Sequence, residues 1–260
     1  MHILVWGPGD LPPLVCIHRE RAHVRRMERL GRMLSDRRRV IAYDLRGHGR
    51  SPWSGPHTVL QHTVDLDDVL DATGVEQAVL VGDGFGGRVA LEYASGHGER
   101  VTGLVLLDPP LRPPAEQLVE LGEVERRGRT FTSADQALAE WPGYAGLVHT
   151  PRALLEEEMA EHLVADEDGR FRLRYSRRAV AGAMDGLIFS PPRLKEIVCP
   201  TLIVRAEESK VLSAEDVERA AAELRRCQLA VVPGSHAVLW DALAETGALV
   251  RDFVTERIRA

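Results

Sequence analysis

VIAYDLRGHGRS, residues 40–51, joins a short apolar run to a polar turn carrying glycines at 47 and 49. A run such as Val40–Tyr43, with no polar alternation, suits a strand covered on both faces, and the glycines let the chain turn sharply after it. His48 falls inside that turn and reads as a turn residue with its own local hydrogen bonds. Outward from this segment, strands are expected at Ile3–Trp6, Leu14–His18, Ala78–Val81 and Val101–Leu107, with helices near 24–35, 58–73 and 85–97. Short apolar runs alternating with helix-period segments imply βαβ crossovers and a parallel sheet. After Asp108 the texture changes. Pro109, Pro110, Pro113 and Pro114 punctuate a turn, and residues 115–190 are charged and helix-rich. Within them DEDGRFRLRY, residues 166–175, reads as an exposed turn and a short extended piece. From Pro200 the first pattern resumes: a strand at TLIVR, a helix over 214–225, a strand at QLAVV and a closing helix over 237–257. The fold class is therefore α/β, with a mostly parallel central sheet and helices on both faces. Residues 1–110 and 191–260 are expected to form one core, and 111–190 an inserted helical cap.

The 260 residues carry a formal charge of -6, and 44% are hydrophobic. No large basic field points to nucleic acid, and no apolar stretch approaches the roughly 20 residues that span a bilayer. Three cysteines at 16, 199 and 227 are an odd number without paired spacing, so neither a disulfide framework nor a four-thiolate zinc site is expected. A reduced, cytoplasmic setting follows, and the first residues show no basic n-region of a secretory signal.

Four segments arrive in a fixed order: CIHRE (16–20), VIAYDLRGHGRS (40–51), LVGDGFGGRVALEYA (80–94) and VVPGSHA (231–237). Together they make the chain resemble the α/β-hydrolase superfamily over residues 1–110 and 196–258. The resemblance implies a strand that runs into a G-x-nucleophile-x-G corner and then a helix. Aligned on Val81 and the Gly86-Gly87 pair, the flanking glycines are Gly82 and Gly86, and Gly84 stands where Ser, Cys or Asp is expected. Glycine has no attacking atom but suits the strained backbone of that position. A second departure lies after the strand ending at His18, where relatives carry His-Gly and a loop that helps form the oxyanion hole. Here the string is His18-Arg19-Glu20-Arg21.

The resemblance also implies a catalytic histidine at His236, in PGSHA, which can exchange protons near neutral pH. Ser209 stands at the usual position of its orienting acid after the seventh strand, so that acid is expected at the alternative location, Asp108, which closes LVLLD, with Glu208 in reserve. Asp83, beside the corner, is a third candidate acid or base, or a displaced nucleophile. Gly84, Phe85, His18 and Arg19 are expected to border the substrate, and cap aromatics such as Trp141 to roof the pocket. Arg19, Arg21, His23, Arg25 and Arg26 read mainly as a solvated helix face. No H-E-x-x-H, P-C-x-x-C or phosphate-loop motif occurs, so no metal, cofactor or dinucleotide is expected. The leading expectation is an enzyme without a covalent nucleophile, using His236 for acid–base chemistry on a small or medium apolar molecule. Isomerisation, epimerisation, elimination, cyclisation or water-mediated hydrolysis would qualify, and the substrate would be a reactive intermediate of specialised metabolism. A ligand-binding protein that has lost its chemistry, and a hydrolase using Asp83 as nucleophile, are the alternatives. The oligomeric state cannot be read from the sequence.

Overall fold

The computed structural model describes residues 1–8 and 11–258. In chain order its strands are β1 (Ile3–Trp6), β2 (Leu11–Ile17), β3 (Arg38–Tyr43), β4 (Ala78–Asp83), β5 (Val101–Leu107), β6 (Leu163–Ala165), β7 (Phe171–Leu173), β8 (Thr201–Ala206) and β9 (Cys227–Val232). Seven of them form one sheet in the order β1-β3-β2-β4-β5-β8-β9. Only β1 runs antiparallel to its neighbour. The helices are α1 (Glu28–Leu34), α2 (Val59–Ala72), α3 (Phe85–Gly96), α4 (Ala115–Arg127), α5 (Ala134–Ala145), α6 (Arg152–His162), α7 (Arg177–Phe189), α8 (Ala214–Glu223), α9 (Val238–Asp241) and α10 (Leu243–Glu256).

The central strands read as continuous apolar runs because both faces are covered. In β2, Val15 and Ile17 join the core layer under α2 and α3, while Leu14 and Cys16 join the layer under α1 and α10. Alternate side chains of one strand thus enter opposite layers. The helix and hairpin segment between β5 and β8 packs α4 against α7, and its Phe131, Trp141, Leu147 and Tyr175 form a third apolar cluster together with Ala237 and Trp240.

Two helices differ from the expected spans. The first opens as a 3₁₀ turn over Val24–Met27 before α1. The closing helix is interrupted at Ala242 (φ -141°, ψ 49°). Just before that break, Asp241 accepts hydrogen bonds from Ser235 N–H and Ser235 Oγ and from Thr150 Oγ1. Long-range anchoring of Asp241, which helical periodicity cannot register, holds this turn in place.

The chain order places β3 on one side of β2 and β4 on the other. Such a reversal opens a crevice at the carboxyl ends of the strands, where open α/β sheets bind ligands.

Candidate active site

The corner between β4 and α3 is Gly84, with φ 52° and ψ -119°. Side chains rarely tolerate that conformation, so glycine relieves strain there. The turn is also very tight: a Cβ on Gly82 would lie 2.4 Å from the Gly86 carbonyl oxygen. Gly84 N–H donates to the Leu107 carbonyl at 2.9 Å, which ties the corner to the end of β5.

One residue beyond β5, Asp108 adopts φ 46°, unusual for a residue with a side chain. Its carboxylate explains the strain. Oδ1 accepts from Ala206 N–H at 2.9 Å, and Oδ2 accepts from Ser209 Oγ at 2.6 Å and lies 2.7 Å from His236 Nδ1. Burial pushes the Asp108 carboxyl up to about 6, opposed by the Ser209 and Ala206 hydrogen bonds. An acceptor at Nδ1 selects the tautomer in which Nδ1 carries the proton and Nε2 is the free base. The loop bearing His236 is itself held by Ser235, which donates to Asp241 and to the Gly146 carbonyl.

His236 Nε2 is aimed at the corner. A Cβ built on Gly84 would lie 3.3 Å from that nitrogen, 3.4 Å from Glu20 Oε2 and 3.0 Å from Arg19 Cβ. Glu20 therefore faces His236 across the corner. Its Oε2 also accepts a long hydrogen bond, 3.4 Å, from Phe85 N–H, the first amide of α3. Glu20 and His236 border a small cavity of about 40 Å³ that opens into a wider mouth, with apolar walls from Pro110, Leu118, Met184 and Leu187. Glu20 is a site residue that no motif in the sequence marks. The available signal was its place two residues after His18, in a loop already expected to border the substrate.

The other candidates fall in different surroundings. His18 is fully buried and both ring nitrogens bind the backbone: Nδ1 the Arg19 carbonyl at 2.7 Å, Nε2 the Leu45 N–H at 3.0 Å. Burial lowers its pKa to about 3, so it is a neutral structural group rather than part of the cavity wall. Phe85 meets the site through its amide, while its ring packs edge-on against His62 in the core. Asp83 is the last residue of β4 and is 1% exposed. Burial raises its pKa to about 6, opposed by the charges of Arg19 and Arg26. Arg19 is 3% exposed, and its Nη1 and Nη2 have no hydrogen-bond partner among the described residues. Trp141 does not border the His236 cavity; it is packed into the third apolar cluster and lines a second cavity with Trp53 and Tyr175. Glu208 is 62% exposed and pairs with His149, leaving His236 to Asp108.

The arginine run is not a solvated face. Arg19, Arg21, His23 and Arg26 are buried, and Arg25 alone of the five is exposed. The segment between β5 and β8 supplies buried acids to two of them: Glu125 lies 2.6 Å from Arg21, and Glu158 lies 2.5 Å from Arg26. Composition cannot distinguish this from a wet surface, because the carboxylates come from α4 and α6, over 100 residues away. Among the described residues no group of three or more His, Cys, Asp or Glu could hold a metal ion, and no helix is long and apolar enough to cross a membrane.

Comparison with known proteins agrees with this fold. The chain is 31% identical to Lipase LipV of Mycobacterium tuberculosis, over 86% of this chain and 85% of that protein. It is 27% identical to a putative 2-succinyl-6-hydroxy-2,4-cyclohexadiene-1-carboxylate synthase of Bacillus subtilis, over 96% of this chain and 92% of that protein. In structure it is similar to E-2-(acetamidomethylene)succinate hydrolase, with a TM-score of 0.86 and 26% identity over 97% of this chain and 94% of that one. Residues 14–249 match the alpha/beta hydrolase family, and with the sheet order and the strand-to-helix corner this makes the chain a member of that family.

Proposed function

We propose that this protein is an acid–base enzyme that acts on a small, largely apolar molecule without forming a covalent intermediate. One observation carries the reading: His236 Nε2, oriented through Asp108, points at the position above Gly84, where the chain offers no attacking atom. Nε2 takes a proton from substrate or from a water beside it, Asp108 steadies the imidazolium, and the same proton returns to the departing or isomerised group. Positioned proton transfer contributes about 10² to 10⁴ in rate, which suits a substrate already inclined to react. Residues 111–190 act as the cap in this reading, because Leu118, Met184 and Leu187 close the cavity over His236. Asp83 is a buried carboxyl that feels the charge of Arg19 rather than a nucleophile, since it precedes the corner and does not border the cavity. The names of relatives, a lipase, a hydrolase and a synthase, support a scaffold that accommodates more than one reaction.

The test is incubation in deuterated buffer with a panel of enolisable carbonyl compounds and activated esters, followed by NMR and intact-protein mass. Turnover or deuterium incorporation is expected to disappear in His236→Ala, with no added mass on the protein at any time. An adduct within residues 82–87, or turnover indifferent to His236, would refute the reading.

A further inference from the structure

In acyl-transfer sites, backbone amides are aimed at the place where negative charge develops on oxygen. Here the amide of Phe85 at the corner already faces a carboxylate oxygen, Glu20 Oε2. That carboxylate also lies beside the position above Gly84, opposite His236. Among the described residues no basic nitrogen lies within 4.0 Å of it. The cavity it borders is otherwise walled mainly by Pro, Leu, Met and Val side chains. A carboxylate without a close ion-pair partner beside apolar walls interacts with charge more strongly than one in water.

We propose that Glu20 converts the oxyanion position into a cation-accepting subsite, so that the substrate is a lipophilic amine bound in its ammonium form. The inference deepens the proposed function by naming the substrate class of the same site. The surrounding charges agree with it. An incoming carboxylate would meet Glu20 directly, with Asp108 behind His236 and Asp83 behind the corner. The nearby cations do not reverse this field: the charge of Arg19 acts on Asp83 and Asp108, and Arg21, which also feels Glu20, is paired with Glu125 at 2.6 Å. A protonated amine would instead find Glu20 as its acceptor and His236 Nε2 as the base that can remove a proton from it or from a neighbouring atom.

Equilibrium binding of two probes of similar shape, benzylammonium and benzoate, tests this by calorimetry at neutral pH. The wild-type protein is expected to bind benzylammonium at least about tenfold more tightly than benzoate. Glu20→Gln is expected to remove that preference and Glu20→Asp to keep part of it, with thermal unfolding showing that both variants are folded. Met184→Trp, which fills the cavity, is expected to abolish binding of both probes. Equal binding of the two probes, a preference that survives in Glu20→Gln, or no saturable benzylammonium binding at millimolar concentration would each overturn the proposal. Because binding needs no turnover, the same measurement on His236→Ala separates the two readings. A retained preference with lost turnover in His236→Ala supports both readings; turnover that survives in His236→Ala overturns the acid–base function and leaves the subsite standing, and a preference that survives in Glu20→Gln overturns the subsite alone.

Discussion

His236 Nδ1 and Asp108 Oδ2 lie 2.7 Å apart although 128 residues separate them in the chain. Asp108 reaches that position with a left-handed backbone and three partners on its carboxylate. The pair leaves one imidazole nitrogen free, and that nitrogen faces the corner at Gly84.

Replacing Asp108 by Asn keeps the shape but removes the ionised acceptor. His236-dependent turnover is expected to fall by about 10² to 10⁴, the range for losing a positioned base. In the wild type, turnover is expected to rise as pH passes through about 6, where Asp108 ionises. A pH–rate profile that is flat between 5 and about 7 would contradict this role.

A side chain at residue 84 meets both strain and crowding, with Arg19 Cβ 3.0 Å from the added carbon. Gly84→Ala is expected to lower stability by about 1–3 kcal/mol, the range for a side chain forced into a sparsely populated backbone region. Urea unfolding measures it. Gly84→Ser should suffer a similar loss and should become open to fluorophosphonate labelling, whereas the wild-type corner should remain unlabelled.

Arg26 and Glu158 form a buried pair joining the core to α6. Glu158→Ala strands a buried guanidinium and is expected to destabilise by about 3–5 kcal/mol. Glu156→Ala, which removes the exposed Arg152–Glu156 pair on the same helix, is expected to change stability by less than about 1 kcal/mol. Comparable losses for the two variants in chemical denaturation would show that burial of the Arg26 pair is not what holds the segment down.

Acid should unfold this protein through its histidines. Burial lowers His18, His48 and His62 from an ordinary 6.5 to about 3. The unfolded chain therefore binds more protons across that window, and stability declines as pH falls below 6.5. Asp83 and Asp108, raised from 3.8 to about 6, act in the opposite sense. The fold takes up their protons first, so their contribution is full below 3.8 and is lost as pH rises through about 6. Three histidines with the larger shifts outweigh two carboxyls, so the melting temperature is expected to hold steady above neutrality and drop on the acid side. His62→Leu should shallow that drop, since its Nδ1 has no partner to lose. A melting temperature that rises steadily from neutral pH to 4 would reverse the assignment.

The sheet, its helices and the strand-to-helix corner could be read directly from residues 40–51 and 80–94, because apolar periodicity and turn glycines are local properties of the chain. The order of segments likewise put Gly84, Asp108 and His236 each just beyond a strand end, and parallel strands bring such ends to one edge. Contacts between distant segments left no comparable mark. That Asp108 rather than Glu208 meets His236, that Glu20 confronts it, and that Arg21 and Arg26 are buried beneath Glu125 and Glu158 all depend on how the inserted segment and the loops settle on the sheet. Trp141 shows the same boundary: an aromatic in an amphipathic helix announces that it will be buried, and only packing in three dimensions decides that its neighbours are Tyr144, His162 and Tyr175 rather than a substrate beside His236.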